Sequence, residues 1–137
     1  MRFFFYGTLR DAAVREAVLG PARARALSLR PATLPGWRCA FMRGRTYPVV
    51  VPSRGDAVTG LLAGAVDREG YRRLTAFESD EYVERDVAVV TADGMSHRAR
   101  IYAAGPRARI GRAAWDFDAW CRDHRAAFLR RIASIGF

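Results

Sequence analysis

The chain begins with an unbroken apolar run, Phe3-Phe4-Phe5-Tyr6, stopped by Gly7. A run with no polar alternation is the pattern of a strand buried on both faces. From Asp11 to Leu19 the period changes. Val14, Val18 and Leu19 fall on one helical side, and Gly20-Pro21 ends the helix. Between Ala24 and Ala40 the pattern is interrupted by Pro31, Pro35 and Gly36, which predicts irregular strand pieces. Two cleaner strands follow, Tyr47 to Val51 and Val58 to Val66, β-branched and bounded by Pro52, Gly55 and Asp67.

Asp67 suits the N-cap of a helix that carries Tyr71, Leu74 and Phe77 at three-residue spacing. Val83 to Thr91 and Arg98 to Ala103 alternate around Ala92-Asp93-Gly94, a hairpin signal. Phe117, Trp120, Cys121, His124, Phe128, Ile132 and Ile135 share one stripe, predicting a long amphipathic C-terminal helix. These elements describe a mixed α/β fold with mostly antiparallel strands, not an alternating doubly wound sheet. No repeat, low-complexity tract or linker divides them, so residues 1–137 read as one domain.

Composition narrows the class. With 137 residues and 50% hydrophobic content the chain has material for a real core, which excludes a disordered tail or a collagen-like repeat. No apolar run approaches the ~20 residues needed to span a bilayer, so no membrane role is expected. The apolar N-terminal stretch lacks a small-residue cleavage site and reads as mature structure. Cys39 and Cys121 lie far apart without metal or redox spacing, so both read as small buried hydrophobes in a reduced, cytoplasmic protein.

The net charge is +9, and every basic side chain is arginine; Lys, Asn and Gln are absent altogether. Codon supply in a GC-rich genome accounts for part of that bias. The charge is also uneven: residues 1–54 carry +8, residues 55–97 carry −5 and residues 98–137 carry +6. An acidic middle between two basic thirds is a local field rather than a uniform polycation.

Glu78 is the first candidate for chemistry. It lies four residues after Leu74 and seven after Tyr71, on the face that the helix turns inward, and close to the helix C-terminus. Burial and the negative helix pole both disfavour a carboxylate, and the raised pKa that results is what a general acid/base near neutral pH requires. The pattern alone favours a frayed helix end with Glu78 solvated in the Glu78–Asp86 acidic run. The second candidate is Tyr6-Gly7-Thr8-Leu9-Arg10. A buried strand, a glycine turn and a helix start present unpaired N–H groups suited to a carboxylate or phosphate. Without Walker or spaced-glycine signatures, a purely structural turn is the simpler reading. His97 and His124 have no zinc or nucleophile-pair spacing, and His124 reads as a core histidine. Arg43, Arg45, Arg107, Arg109 and Arg112 read as solvated surface cations.

Taken together, FFFYGTLR, TYPVVVP followed by VTGLL, and LTAFESDEYVERDVAVV resemble the gamma-glutamylcyclotransferase-like family. The C-terminal WDFDAWCRDHRAAF resembles its avirulence-induced-gene-like branch in particular. The resemblance runs from about Phe3 to Phe128. It implies a small β-barrel-like fold with flanking helices, a substrate-binding loop from Tyr6 to Arg10, Glu78 as acid/base, and Tyr82 as the tyrosine that follows the glutamate. It also implies conversion of a gamma-glutamyl amine, peptide or isopeptide to 5-oxoproline and a free amine, with no metal or organic cofactor. Because the substrate's own amine is the nucleophile, the lack of a Ser/His or Cys/His pair is accommodated, and Glu78 becomes the functional choice. Thr75, Ser79 and Glu84 depart from the family pattern, which commonly has Asp, Gly or Asp, and a basic residue there; the leaving group stays open.

Two other readings compete with the enzyme: a non-catalytic module that binds a small carboxylate on the same fold, and a nucleic-acid binder using the basic thirds. The latter ranks last, since the aromatic residues are accounted for as core and no nucleic-acid motif is present. If folding joins the acidic third to the basic loop, surplus arginine is expected to favour an anionic small substrate.

Overall fold

Strand β1 (Phe3–Phe5) alternates between two cores. In the computed structural model, which describes all 137 residues, Phe3 and Phe5 enter a cluster with the helices, whereas Phe4 enters a second cluster with Leu34, Val50, Leu62 and Ile101. The continuous apolar run is thus buried on both faces, and the reason is that β1 is the wall between two apolar compartments.

β1 pairs antiparallel with β3 (Pro48–Gly64) and parallel with β5 (Ser96–Ala104). β5 pairs with β4 (Tyr82–Thr91), β4 with β2 (Ser28–Met42), and β2 returns to β3. The order β3-β1-β5-β4-β2 therefore closes into a five-stranded barrel, and β6 (Ile110–Ala114) adds to β2 outside the closure. The expected hairpin is β4–β5, paired from Tyr82↔Ala104 to Val90↔Ser96. Its turn is fixed by Asp93, which accepts from Met95 N at 3.1 Å, and by Gly94 at φ +80°.

Four expectations need correction. Ala24 to Ala40 is not a set of irregular strand pieces: its first residues end helix α2 (Pro21–Ala26), which follows α1 (Ala12–Leu19), and β2 then runs for 15 residues. Pro31 and Pro35 are tolerated because both are exposed and the register shifts between Pro35 and Trp37, a bulge where a missing N–H costs little. The two strands expected after Tyr47 are one, since β3 continues through Pro52 and bends at Gly55, φ +86°. Strand β6 had no alternating pattern to announce it; its residues are half-buried or exposed.

The C-terminal stripe is two helices, α4 (Phe117–Asp123) and α5 (Arg125–Ile132), rather than one long helix. His124 leaves the helical region at φ −130° and ψ −16°, and is half-buried at the kink instead of sitting in the core. The kink lets Trp120 and Phe128 meet edge-to-face, with ring centroids 5.5 Å apart. It also brings Arg125 within 2.7 Å of Asp11, which caps α1 through Val14 N. The last helix is thereby tied to the first. Helix α3 (Arg68–Glu78) begins as anticipated, with Asp67 accepting from Gly70 N at 2.7 Å.

Candidate active site

Glu78 is the last residue of α3, and the chain turns sharply after it. Ser79 sits at φ +65° and ψ −166°, a region that glycine occupies readily and a Cβ-bearing residue only under strain. The turn prevents α3 from continuing into solvent and leaves the Glu78 carboxyl against a cavity of about 190 Å³. Surrounded by protein and only partly accessible, the carboxyl has its pKa pushed up to about 8. Burial is the sole cause of that shift. The solvated, frayed-end alternative for Glu78 does not describe this residue.

Across the cavity stands the segment after β1. Tyr6, Gly7, Thr8 and Leu9 all line it, and a 3-10 turn from Thr8 to Arg10 follows Gly7. The bonding within the turn begins at Arg10 N, which donates to the Gly7 carbonyl at 3.0 Å. The amides before it, from Gly7 to Leu9, find no acceptor within the turn. Gly7 is required by space: a Cβ there meets Pro48 Cγ at 2.8 Å.

The cavity wall is rich in phenols. Tyr6 Oη donates to the Tyr102 carbonyl at 2.5 Å, and Tyr82 Oη donates to the Pro48 carbonyl at 2.7 Å. Burial, first, and the charge of Glu78, second, push the Tyr6 phenol well up; burial and the neighbouring Tyr6 and Glu78 do the same to Tyr82. Both phenols therefore stay protonated, and of the three groups only the Glu78 carboxyl has its pKa brought toward neutrality.

The structure brings Tyr6, Gly7, Thr8, Leu9, Glu78 and Tyr82 around one cavity, but not Arg10. The Arg10 guanidinium lies 4.4 Å from the centroid of the Phe117 ring and lines a different groove. The anticipated union of arginine surplus with the Glu78 carboxylate does not occur either. Glu78 and Glu81 line the cavity with a single cation, Arg131. Successive side chains of a 3-10 turn diverge by about a third of a turn, and the Arg10 side chain goes to the Phe117 ring while Leu9 stays at the cavity.

Several lining residues escaped the sequence reading. Tyr47 Oη donates to Glu81 Oε1 at 2.7 Å and accepts from Arg45 Nε at 2.9 Å, a chain along the rim. Tyr102 meets Thr75 Oγ1 at 2.9 Å. Phe128, Ile132, Ile135 and Phe137 supply an apolar wall, with Phe137 edge-on to Phe77 at 5.5 Å. Tyr47, Thr75, Phe77, Glu81 and Phe128 lay in the quoted motifs without a role assigned to them, whereas Tyr102, Ile132, Ile135 and Phe137 arrive by tertiary packing. No group of three or more His, Cys, Asp or Glu side chains gathers in the protein, and no helix is long and apolar enough to cross a membrane.

A closed five-stranded barrel with helices around it is the fold of a cyclotransferase-like protein. The sequence profile of the family described as "Gamma-glutamyl cyclotransferase, AIG2-like" matches residues 3–122, and the chain belongs to that family. It is 31% identical over 137 residues to AIG2-like protein A of Arabidopsis thaliana, covering 96% of this chain and 79% of the relative. A solution structure of an Arabidopsis thaliana protein superposes with a TM-score of 0.71 at 28% identity, covering 95% of this chain and 86% of that chain. A structure described as gamma-glutamyl cyclotransferase shares the fold, with a TM-score of 0.64 at 16% identity over 99% and 88% of the two chains.

Proposed function

We propose that this protein is a gamma-glutamyl cyclotransferase that releases 5-oxoproline from a gamma-glutamyl amine, peptide or isopeptide, with Glu78 as the acid/base. The observation that carries the proposal is a single carboxyl with its pKa near 8, in a cavity whose opposite wall is the Tyr6–Leu9 turn. The substrate's α-amino nitrogen attacks its own γ-carbonyl carbon, forming the ring C–N bond. The Glu78 carboxylate takes the proton shed by that nitrogen and returns it to the leaving amine as the original γ C–N bond breaks. Five-oxoproline and a free amine are the products, and no protein nucleophile or external reactant enters.

The amides of the Gly7–Leu9 turn are placed to bind the substrate carboxylate or the oxyanion of the tetrahedral intermediate. Tyr6 and Tyr82, with phenol protons already committed to carbonyls, shape the pocket rather than transfer protons. The two unpaired cysteines accord with a cytoplasmic setting for the same activity.

The test is a mass-spectrometric screen for 5-oxoproline over a panel of gamma-glutamyl compounds, run on the wild type and Glu78→Gln. Release by the wild type and none by the variant is the expected result. Equal release by both removes Glu78 from the mechanism. Saturable binding of panel members with no product from either protein assigns the fold to a non-catalytic carboxylate-binding module.

A further inference from the structure

The larger concavity of the protein, about 390 Å³, is not the one that holds Glu78. Tyr6 borders both, so the two lie on either side of its ring. Three arginines reach this second groove from separate parts of the chain: Arg10 from the turn after β1, Arg38 from β2 and Arg112 from β6. About the antiparallel Ala40↔Ala114 pair, Arg38 and Arg112 lie toward opposite ends, each two residues before its alanine, and Arg10 reaches the groove from the turn after β1.

None of the three takes part in an ion pair, whereas eight other arginines do. Acids are not lacking nearby, since Asp56 and Asp116 border the same groove. Each accepts one bond from a neutral donor, Asp56 Oδ2 from Ser53 Oγ at 2.5 Å and Asp116 Oδ2 from Ala119 N at 2.8 Å, and neither forms an ion pair. Three arginines against two carboxylates leave the groove a formal surplus of positive charge, which an entering anion offsets. Arg10 is also held over the Phe117 ring, so its edge donors are oriented before any ligand arrives.

We propose that this groove binds a small polyanion bearing phosphate or carboxylate groups, whose oxygens the guanidinium forks of Arg10, Arg38 and Arg112 share. The site is independent of turnover, because Glu78 does not border it.

Isothermal titration of the full chain at fixed ionic strength tests this, with inorganic pyrophosphate as one probe and citrate as the other. The wild type is expected to bind at least one probe saturably, one per chain. A tighter pyrophosphate isotherm assigns a phosphate ligand, and a tighter citrate isotherm a polycarboxylate. Arg38→Gln and Arg112→Gln are each expected to weaken binding by about tenfold, the loss of one charge-assisted contact. Both side chains are exposed and bond to nothing in the protein, so an unchanged unfolding midpoint accompanies the loss. Arg98→Gln, an exposed arginine on β5 outside the groove, is expected to bind as the wild type does, and so is Glu78→Gln whatever its activity. No saturable heat with either probe overturns the proposal, as does equal weakening by Arg98→Gln. An oligonucleotide that excludes the probes through the same arginines, tighter than either, overturns it in favour of nucleic acid.

Discussion

The phenol of Tyr6 donates a 2.5 Å hydrogen bond to the carbonyl of Tyr102, 96 residues further along the chain. The bond joins the end of β1 to β5 at the point where the glycine turn begins. Tyr6 is buried, so its removal leaves an interior carbonyl without that donor. Tyr6→Phe keeps the ring and loses only the bond. It is expected to lower unfolding stability by about 1–2 kcal/mol, read as a lower urea midpoint at an unchanged slope. A midpoint equal to the wild type's means that the turn is held by packing alone.

Gly7 is fixed by Pro48, whose ring a Cβ would meet at 2.8 and 3.3 Å. A proline ring has little freedom to withdraw, and the Pro48 carbonyl also holds the Tyr82 phenol. Gly7→Ala therefore displaces both walls of the cavity at once. The expected stability loss is about 1–3 kcal/mol, as for ordinary overpacking. Turnover is expected to fall by at least about tenfold, measured as kcat/KM for 5-oxoproline release. Wild-type kcat/KM in a destabilised variant separates the turn from substrate binding.

Legibility from the sequence followed the range of the interaction. Local signals were readable: the Phe3–Phe5 run, the Asp67 cap with its Gly70 amide, and the hairpin about Asp93 and Gly94 each act within a few residues. Glu78 was readable as a residue but not as a buried one until the family resemblance weighed in, because its burial depends on Ser79 reversing the chain. Features that join distant elements were not visible. The β2–β3 closure of the barrel, the kink at His124 and the apolar rim from Phe128 to Phe137 are set by packing that no local periodicity encodes. Arg10 shows the limit at its smallest scale: it neighbours Leu9 in sequence and lies on the far side of the loop in space.

Ser79 holds a conformation, φ +65° and ψ −166°, that suits glycine. Its side chain is exposed and makes no bond that offsets the strain. Ser79→Gly is expected to raise stability by about 1 kcal/mol, the relief of strain less the added freedom of the unfolded chain. The Glu78 carboxyl stays where it is, so 5-oxoproline release is expected at the wild-type rate. Calorimetry shows the upward shift in Tm, and a downward shift means that the serine side chain stabilises the turn after all.

The elevated pKa of Glu78 makes stability depend on pH in a particular direction. Its folded-state value, about 8, lies above the ordinary 4.5, so between those limits the native protein retains a proton that the unfolded chain has released. The resulting stabilisation is complete below about pH 4.5 and is lost as pH rises through about 8. Relative to Glu78→Gln, which has no proton to lose, the wild type is expected to weaken by up to about 1.4 kcal/mol per pH unit across that window. Urea unfolding of both proteins at pH 5, 6.5 and 8 (values chosen as roughly spanning the window) measures the difference. Catalysis runs the opposite way, because proton abstraction needs the ionised carboxylate. The kcat/KM profile is expected to rise tenfold per unit below about pH 8 and level off above it. A stability difference that stays flat with pH, together with an activity profile that levels off near the ordinary carboxylate range, means that Glu78 is solvated in the working protein and is not the acid/base.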